Sequence, residues 1–298
     1  MMHPAACGQS WKTLLAGLAL TLAEPAGAAT CAPDEVRAMS FNIRLDIAAD
    51  GDNRWERRRD FFVGQVALMR PDILGLQEVV PGQRDDLRRA LPDYVILGVP
   101  RDDGKSKGEY SNLAVRRDRF RVTSSGTFWL SPTPDRPSKA WDAAFPRIAT
   151  WAHLVDRKSG RRVLAVNSHF DHVGTTARLE SARQVKRWLA TARRPGEALL
   201  MTGDLNTEPT TAPIVALTTG TPTLRDSRAA SQTAPLGPEG TFNEFRALPA
   251  ESRRIDYILV SDDWRVRRHA TLAWHGDGGR VASDHFAVIA DLSRGCGR

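Results

Sequence analysis

Apolar residues along this chain fall into short runs, and many of the runs stop abruptly on a carboxylate, an amide or an imidazole. Strand patterns occupy residues 36–43, 73–77, 94–97, 112–115, 120–125, 149–156, 163–167, 198–202, 254–260, 266–272 and 286–292. Branched and aromatic apolar residues bounded by turn formers fit a pleated, buried surface. Helical spacing is confined to three stretches. Residues 57–69 set Phe61, Phe62 and Val66 among basic residues, and residues 81–91 open on a helix-compatible proline. Residues 175–193 place Leu179, Ala182, Val185, Trp188 and Leu189 on one helical face. Loops rich in Pro, Gly and Ser interrupt at residues 131–146, 227–240 and 275–283. Many strands with helices inserted at intervals predict an α/β sandwich, two packed sheets with helices over their outer faces.

The run ends carry the chemistry. Ala198-Leu199-Leu200-Met201-Thr202 reads as a strand covered on both faces; Gly203 is then expected to turn the backbone so that Asp204 and Asn206 project. Turn formation alone would account for an isolated Asp and Asn, whose side chains bond their own backbone. The pattern repeats, however: 36–41 runs into Asn42, 71–77 into Glu78, and 163–168 into His169. Asp256 lies inside an apolar strand, where an unpartnered acid suffers desolvation, and His285, directly after Ser283-Asp284, is a suitable partner for it. Carboxylates and an amide, without a cysteine cluster or the paired histidines of zinc sites, favour a hard divalent ion, Mg²⁺ with Mn²⁺ as substitute. Such an ion neutralises phosphate charge, and histidines beside carboxylates supply protons and orienting contacts for water attack.

The start of the chain reads differently. Lys12, the apolar run 14–23 and the small residues 26–29 follow the order of a secretory signal. The run is about half the ~20 residues a membrane-spanning helix needs. Residues 1–28 are therefore expected to be removed on export to the periplasm or beyond, leaving a single domain over 29–298 with no membrane span. Lys12 and Glu24 cancel, so the mature net charge stays +7. Positive charge favours anionic partners, but the basic pairs are scattered along the chain. Export leaves Cys31 and Cys296, one near each end. If the first strand lies antiparallel to the last, both fall at the same end of the pair and are expected to form a disulfide.

Asn42, Leu76-Gln77-Glu78, Asn167-Ser168-His169, Gly203-Asp204-Leu205-Asn206, Ile255-Asp256-Tyr257 and Ser283-Asp284-His285 match, in order, the motifs of the endonuclease/exonuclease/phosphatase superfamily. The resemblance spans nearly the whole mature chain. It implies a four-layered, DNase-I-like α/β sandwich with its active site at one edge of the two sheets. By position, Glu78 resembles the principal metal ligand, with Asn42 close to the metal and Asp284 helping to organise it. Asp204 resembles the group that orients or deprotonates water, and Asn206 the amide that holds phosphate and nucleophile. His285, paired with Asp256, resembles the histidine on the scissile phosphate. His169 resembles a second phosphate contact or proton donor, with Glu109 where its carboxylate partner falls. Arg44 stands where abasic-site endonucleases carry an acid, so a second metal contact is not implied. Three further stretches, 98–104, 141–147 and 169–174, resemble a group of secreted bacterial members, and Arg147 among them is the candidate for an added phosphate contact. The implied activity is hydrolysis of a phosphodiester or phosphomonoester by a monomeric enzyme. Nucleic acid, lipid headgroups, inositol phosphates and small diesters all stay open as substrates, a nonspecific nuclease is the competing enzyme class, and a binding domain that lost its chemistry is disfavoured because every position retains a competent residue.

Overall fold

The apolar runs form two six-stranded sheets in the computed structural model, which describes Met1 and residues 34–295. In chain order the elements are β1 (Asp34–Asn42), α1 (Trp55–Met69), β2 (Ile73–Val79), α2 (Pro81–Ala90), β3 (Tyr94–Leu97), β4 (Tyr110–Arg116), β5 (Phe120–Trp129) and β6 (Ile148–Asp156). There follow β7 (Arg162–His169), α3 (Thr175–Ala192), β8 (Glu197–Asp204), α4 (Ala212–Thr218), β9 (Arg225–Asp226), β10 (Asp256–Val260), β11 (Arg265–Leu272) and β12 (Ala287–Arg294). One sheet has the order β11-β12-β1-β2-β4-β3 and the other β5-β6-β7-β8-β10-β9.

Three apolar clusters stack these layers. Ile73, Leu113, Ala165, Leu200, Ile258 and Val288 meet between the sheets. Phe62, Val66 and Leu87 of α1 and α2 cover Met39, Leu74 and Ala114 on the outside of the first sheet. On the second, Val185, Leu189, Ile214 and Leu217 of α3 and α4 cover Leu164, Leu199 and Leu259. The result is the expected α/β sandwich of helix, sheet, sheet and helix, with each buried Leu or Val worth roughly 1.5–3 kcal/mol. No helix among the described residues is long and apolar enough to cross a membrane.

Each sheet contains one parallel pair, β1 with β2 and β7 with β8. Their carboxyl ends share an edge, and β10 and β12, antiparallel to β8 and β1, begin there. This arrangement gathers residues from distant parts of the chain. α4 was not predicted; Pro213 sits in its first turn, where the missing N–H costs nothing. The turn expected at Gly203 is corrected. Gly203 lies within β8, and its missing side chain serves close strand approach, since a Cβ there would come 2.5 Å from the Ser168 carbonyl oxygen. The backbone turns later, at Asn206, whose φ is +48°. β1 and β12 do pair antiparallel, Asp34 opposite Arg294. Cys31, Cys296 and, apart from Met1, the expected leader lie outside the described residues.

A buried histidine away from this edge makes stability pH-dependent. His269 of β11 lies within hydrogen-bonding distance of Ser227, Nδ1 to Oγ at 2.9 Å. Burial, reinforced by Arg228 and Arg254 and opposed by Asp226, lowers its pKa to about 4. Unfolding returns it to the usual value near 6.5, so below that pH the unfolded chain binds a proton that the folded chain refuses. Stability should therefore fall by up to about 3 kcal/mol as pH drops from 6.5 towards 4. Urea unfolding of wild type and His269→Gln across that range measures it; equal slopes in both proteins would reject this assignment.

Candidate active site

Asn42 closes β1, His169 closes β7 and Asp204 closes β8, while Glu78 stands one residue before the end of β2. Asp256 opens β10 directly opposite Asp204, and Asp284 and His285 precede β12. Glu78 owes its direction to an irregularity. The register of β2 with β4 shifts between Leu76 and Val79, and Glu78 itself has a φ of +62°. A side-chain-bearing residue held there stores strain of roughly 1–3 kcal/mol, and such strain clusters at functional sites.

One amide ties the two sheets together. Asn42 Nδ2 donates to Glu78 Oε1 and to Asp204 Oδ2, both at 2.9 Å, while its Oδ1 accepts the Arg44 N–H. Asn42 thus shows the carboxylates its nitrogen, orienting both. His285 Nδ1 lies 2.8 Å from Asp256 Oδ2, and Nε2 lies 3.7 Å from Asp204 Oδ2. Burial disfavours charge on this imidazole, but Asp256 and Asp204 outweigh it and raise its pKa to about 10. Burial and the neighbouring Asp256 push Asp204 up to about 7. Glu78 behaves oppositely: although burial would raise it, the charge of His285 and the amide of Asn42 hold it below the ordinary carboxylate value. Burial raises Asp284.

His169 is kept neutral, well below its usual pKa, by burial and by the charges of Arg147 and Arg101. Asn206 Nδ2 reaches its Nε2 at 2.9 Å and donates to the Phe170 carbonyl at 3.1 Å, and the Asn206 N–H donates to Asp204 Oδ1. That leaves the proton of His169 on Nδ1, which faces Glu109 Oε2 at 3.8 Å. Arg101 grips both oxygens of Glu109 at 2.8 Å. Arg147 is held by Asp171 at 3.1 Å and by His172 at 2.9 Å. Both arginines line the same cleft of about 420 Å³, with Phe145, Phe242 and Arg253 at its rim. The structure therefore brings Asn42, Glu78, Glu109, Arg147, His169, Asp204, Asn206, Asp256, Asp284 and His285 to one edge.

Several supporting residues were not foreseen. Between the sheets, Gln77 Nε2 donates to Asn167 Oδ1 at 2.7 Å, Thr202 donates to the same oxygen at 3.0 Å, and Asn167 Nδ2 donates to the carbonyls of Leu76 and Asn112. Polar residues on apolar strands were their signal. Arg58, fully buried, donates to the carbonyls of Asn53, Ile43, Arg44 and Ala282, fixing the segments beside Asn42 and Asp284. On a helix full of arginines it reads as solvated.

Glu78, Asp204 and His285 offer ligand atoms within 4.8 Å of one another. Protonated His285 has no lone pair to give a metal, so the oxygens of Glu78, Asp204 and Asp284 remain, a donor set that suits a hard divalent cation.

Known proteins share this fold. An endonuclease/exonuclease/phosphatase family protein from Bacteroides thetaiotaomicron is 34% identical, with a TM-score of 0.83 over 89% of this chain and 100% of that one. A mannosyl-6-phosphatase of the same organism is 35% identical, with a TM-score of 0.81 over 86% of this chain and 99% of that one. An uncharacterized protein of Acanthamoeba polyphaga mimivirus is 25% identical across 50% of this chain and 27% of its own length. The chain thus spans less than half the length of the curated relatives it matches, 27% and 47%. The sequence profile of the Endonuclease/Exonuclease/phosphatase family matches residues 39–285. A match that runs from within β1 to the last site histidine accounts for the whole polar edge, and the chain belongs to the endonuclease/exonuclease/phosphatase family.

Proposed function

We propose that this chain is an exported, monomeric, Mg²⁺-dependent phosphoesterase that hydrolyses a small phosphate ester, a sugar phosphomonoester first among the candidates, by direct attack of water. The observation that carries this is the convergence of Glu78, Asp204 and His285 within 4.8 Å at the floor of a cleft of about 420 Å³. That volume lies in the range of small-molecule sites. The likeness to a mannosyl-6-phosphatase supports the sugar phosphate. Export rests on the leader pattern of residues 1–28.

Glu78 and Asp284 would hold the ion, which supplies charge neutralisation and Lewis acidity at the phosphate. Asp204, fixed by Asn42 and the Asn206 N–H, orients water and accepts its proton as oxygen bonds to phosphorus and the ester P–O bond breaks. His285, oriented by Asp256, presents Nε2 to the phosphate oxygens. His169, neutral and backed by Glu109, joins Asn206 in lining the side of the cleft where the ester oxygen departs, and that oxygen takes its proton from solvent.

The test is turnover of sugar 6-phosphates, inositol phosphates, phospholipids, a model diester and plasmid DNA, with Mg²⁺ or Mn²⁺ and with EDTA. EDTA-sensitive phosphate release from a sugar phosphate, well above plasmid nicking, is the expected result. Preferential nicking of DNA would favour the nuclease, and no EDTA-sensitive turnover of any ester would reject the assignment.

A further inference from the structure

Arg44 lines the cleft with its guanidinium facing Glu78 and Asp284, within hydrogen-bonding distance of neither. Its Nη1 stands 3.9 Å from Glu78 Oε2 and 3.8 Å from Asp284 Oδ2. The rest of the residue is immobilised. Nε and Nη2 donate to the two oxygens of Asp50 at 3.0 and 2.9 Å, and the backbone N–H donates to Asn42 Oδ1. Its carbonyl accepts from Arg58 and Gln83 at 2.7 and 2.8 Å. The backbone is left-handed, with a φ of +57°. So much local structure, some of it strained, holds a guanidinium whose Nη1 hydrogens stay free at a cleft wall.

We propose that Arg44 is a catalytic residue, a built-in cation that takes the place of a second divalent ion beside Glu78 and Asp284 and donates from Nη1 to a phosphate oxygen of the substrate. The inference rests on the metal-dependent reading above. A fixed unit charge about 4 Å from two carboxylates satisfies them in part and repels another cation, so the site should take one ion. It costs no reorganisation when charge develops on the phosphate oxygens. Removing it should therefore have opposite consequences for metal binding and for turnover. A merely structural arginine would lower both.

Mn²⁺ binding to the purified, metal-free protein, followed by electron paramagnetic resonance and calorimetry, separates these cases. Wild type is expected to bind one Mn²⁺ per chain. Arg44→Gln, which removes the charge and the guanidinium, should bind Mn²⁺ about tenfold more tightly while kcat falls about a hundredfold. Arg44→Lys should keep the wild-type Mn²⁺ affinity and recover part of kcat. Thermal melts of the metal-free variants confirm folding; should Arg44→Gln not fold, Asp50→Asn, which frees the guanidinium but keeps its charge, is expected to lower kcat with little change in Mn²⁺ affinity. Two ions bound by wild type, or unchanged or weaker Mn²⁺ binding by a folded Arg44→Gln, would overturn the built-in cation and leave the metal-dependent reading intact. No Mn²⁺ binding by wild type would overturn both.

Discussion

Asp204→Asn is expected to lower turnover by on the order of a hundredfold or more, with the protein folded. The substitution keeps shape and removes only the carboxylate. An amide has one oxygen for two donors, so either Asn42 Nδ2 or the Asn206 N–H loses its acceptor, while the charge facing Asp256 across the β8–β10 pairing disappears. What is lost is the group that takes a proton from water, so kcat should carry the whole effect and KM little of it. Steady-state kinetics beside a thermal melt read both. Unchanged kcat in folded protein would count against the mechanism as well as against the residue.

Gly75→Ala should be strongly destabilising, costing about 3 kcal/mol and roughly 5–10 °C in melting temperature. Gly75 sits in β2 against the facing sheet, where a Cβ would collide with Thr202 Oγ1 and come 2.5 Å from Asn167 Oδ1. Both atoms belong to the polar bridge with Gln77, so the methyl group must break hydrogen bonds as well as displace atoms. Gly64 is the control. It lies in α1, where an added Cβ would meet nothing within 4 Å, and Gly64→Ala should be neutral or stabilising by up to about 1 kcal/mol. Equal melting temperatures for the two variants would show that the polar bridge yields.

The strands were legible because each is a bounded apolar run, and the polar edge was legible because a run ending on Asn42, Glu78, His169 or Asp204 has one carboxyl end to offer. Strand order was not, since no local pattern says that β4 pairs with β2 or β10 with β8. The left-handed backbone at Glu78 and Arg44 was equally hidden, because tertiary contacts impose it against the preference of both residues. Arg58 and the Gln77–Asn167 bridge escaped for a related reason. Their partners are carbonyls and amides from distant segments, so the sequence marks Gln77 and Asn167 only as polar residues on apolar strands and makes Arg58 look solvated.

The pairing of Asp204 with Asp256 divides the labour of the molecule. Their spacing is set by one rung of a backbone ladder, as is the junction of Asn42 with β2, so the chemistry is anchored to strands. The cleft rim is anchored otherwise. Asp171 accepts the Ala144 N–H, and Asp142 accepts the N–H groups of Thr176 and Ala177 at the start of α3. The loop bearing Phe145 and Arg147 is thus a clipped-on part, fastened to the β7–α3 connection and to the start of α3. Evolution or an engineer can exchange it, together with residues 170–174, to admit a different ester while the machinery that breaks the bond stays where the ladder puts it.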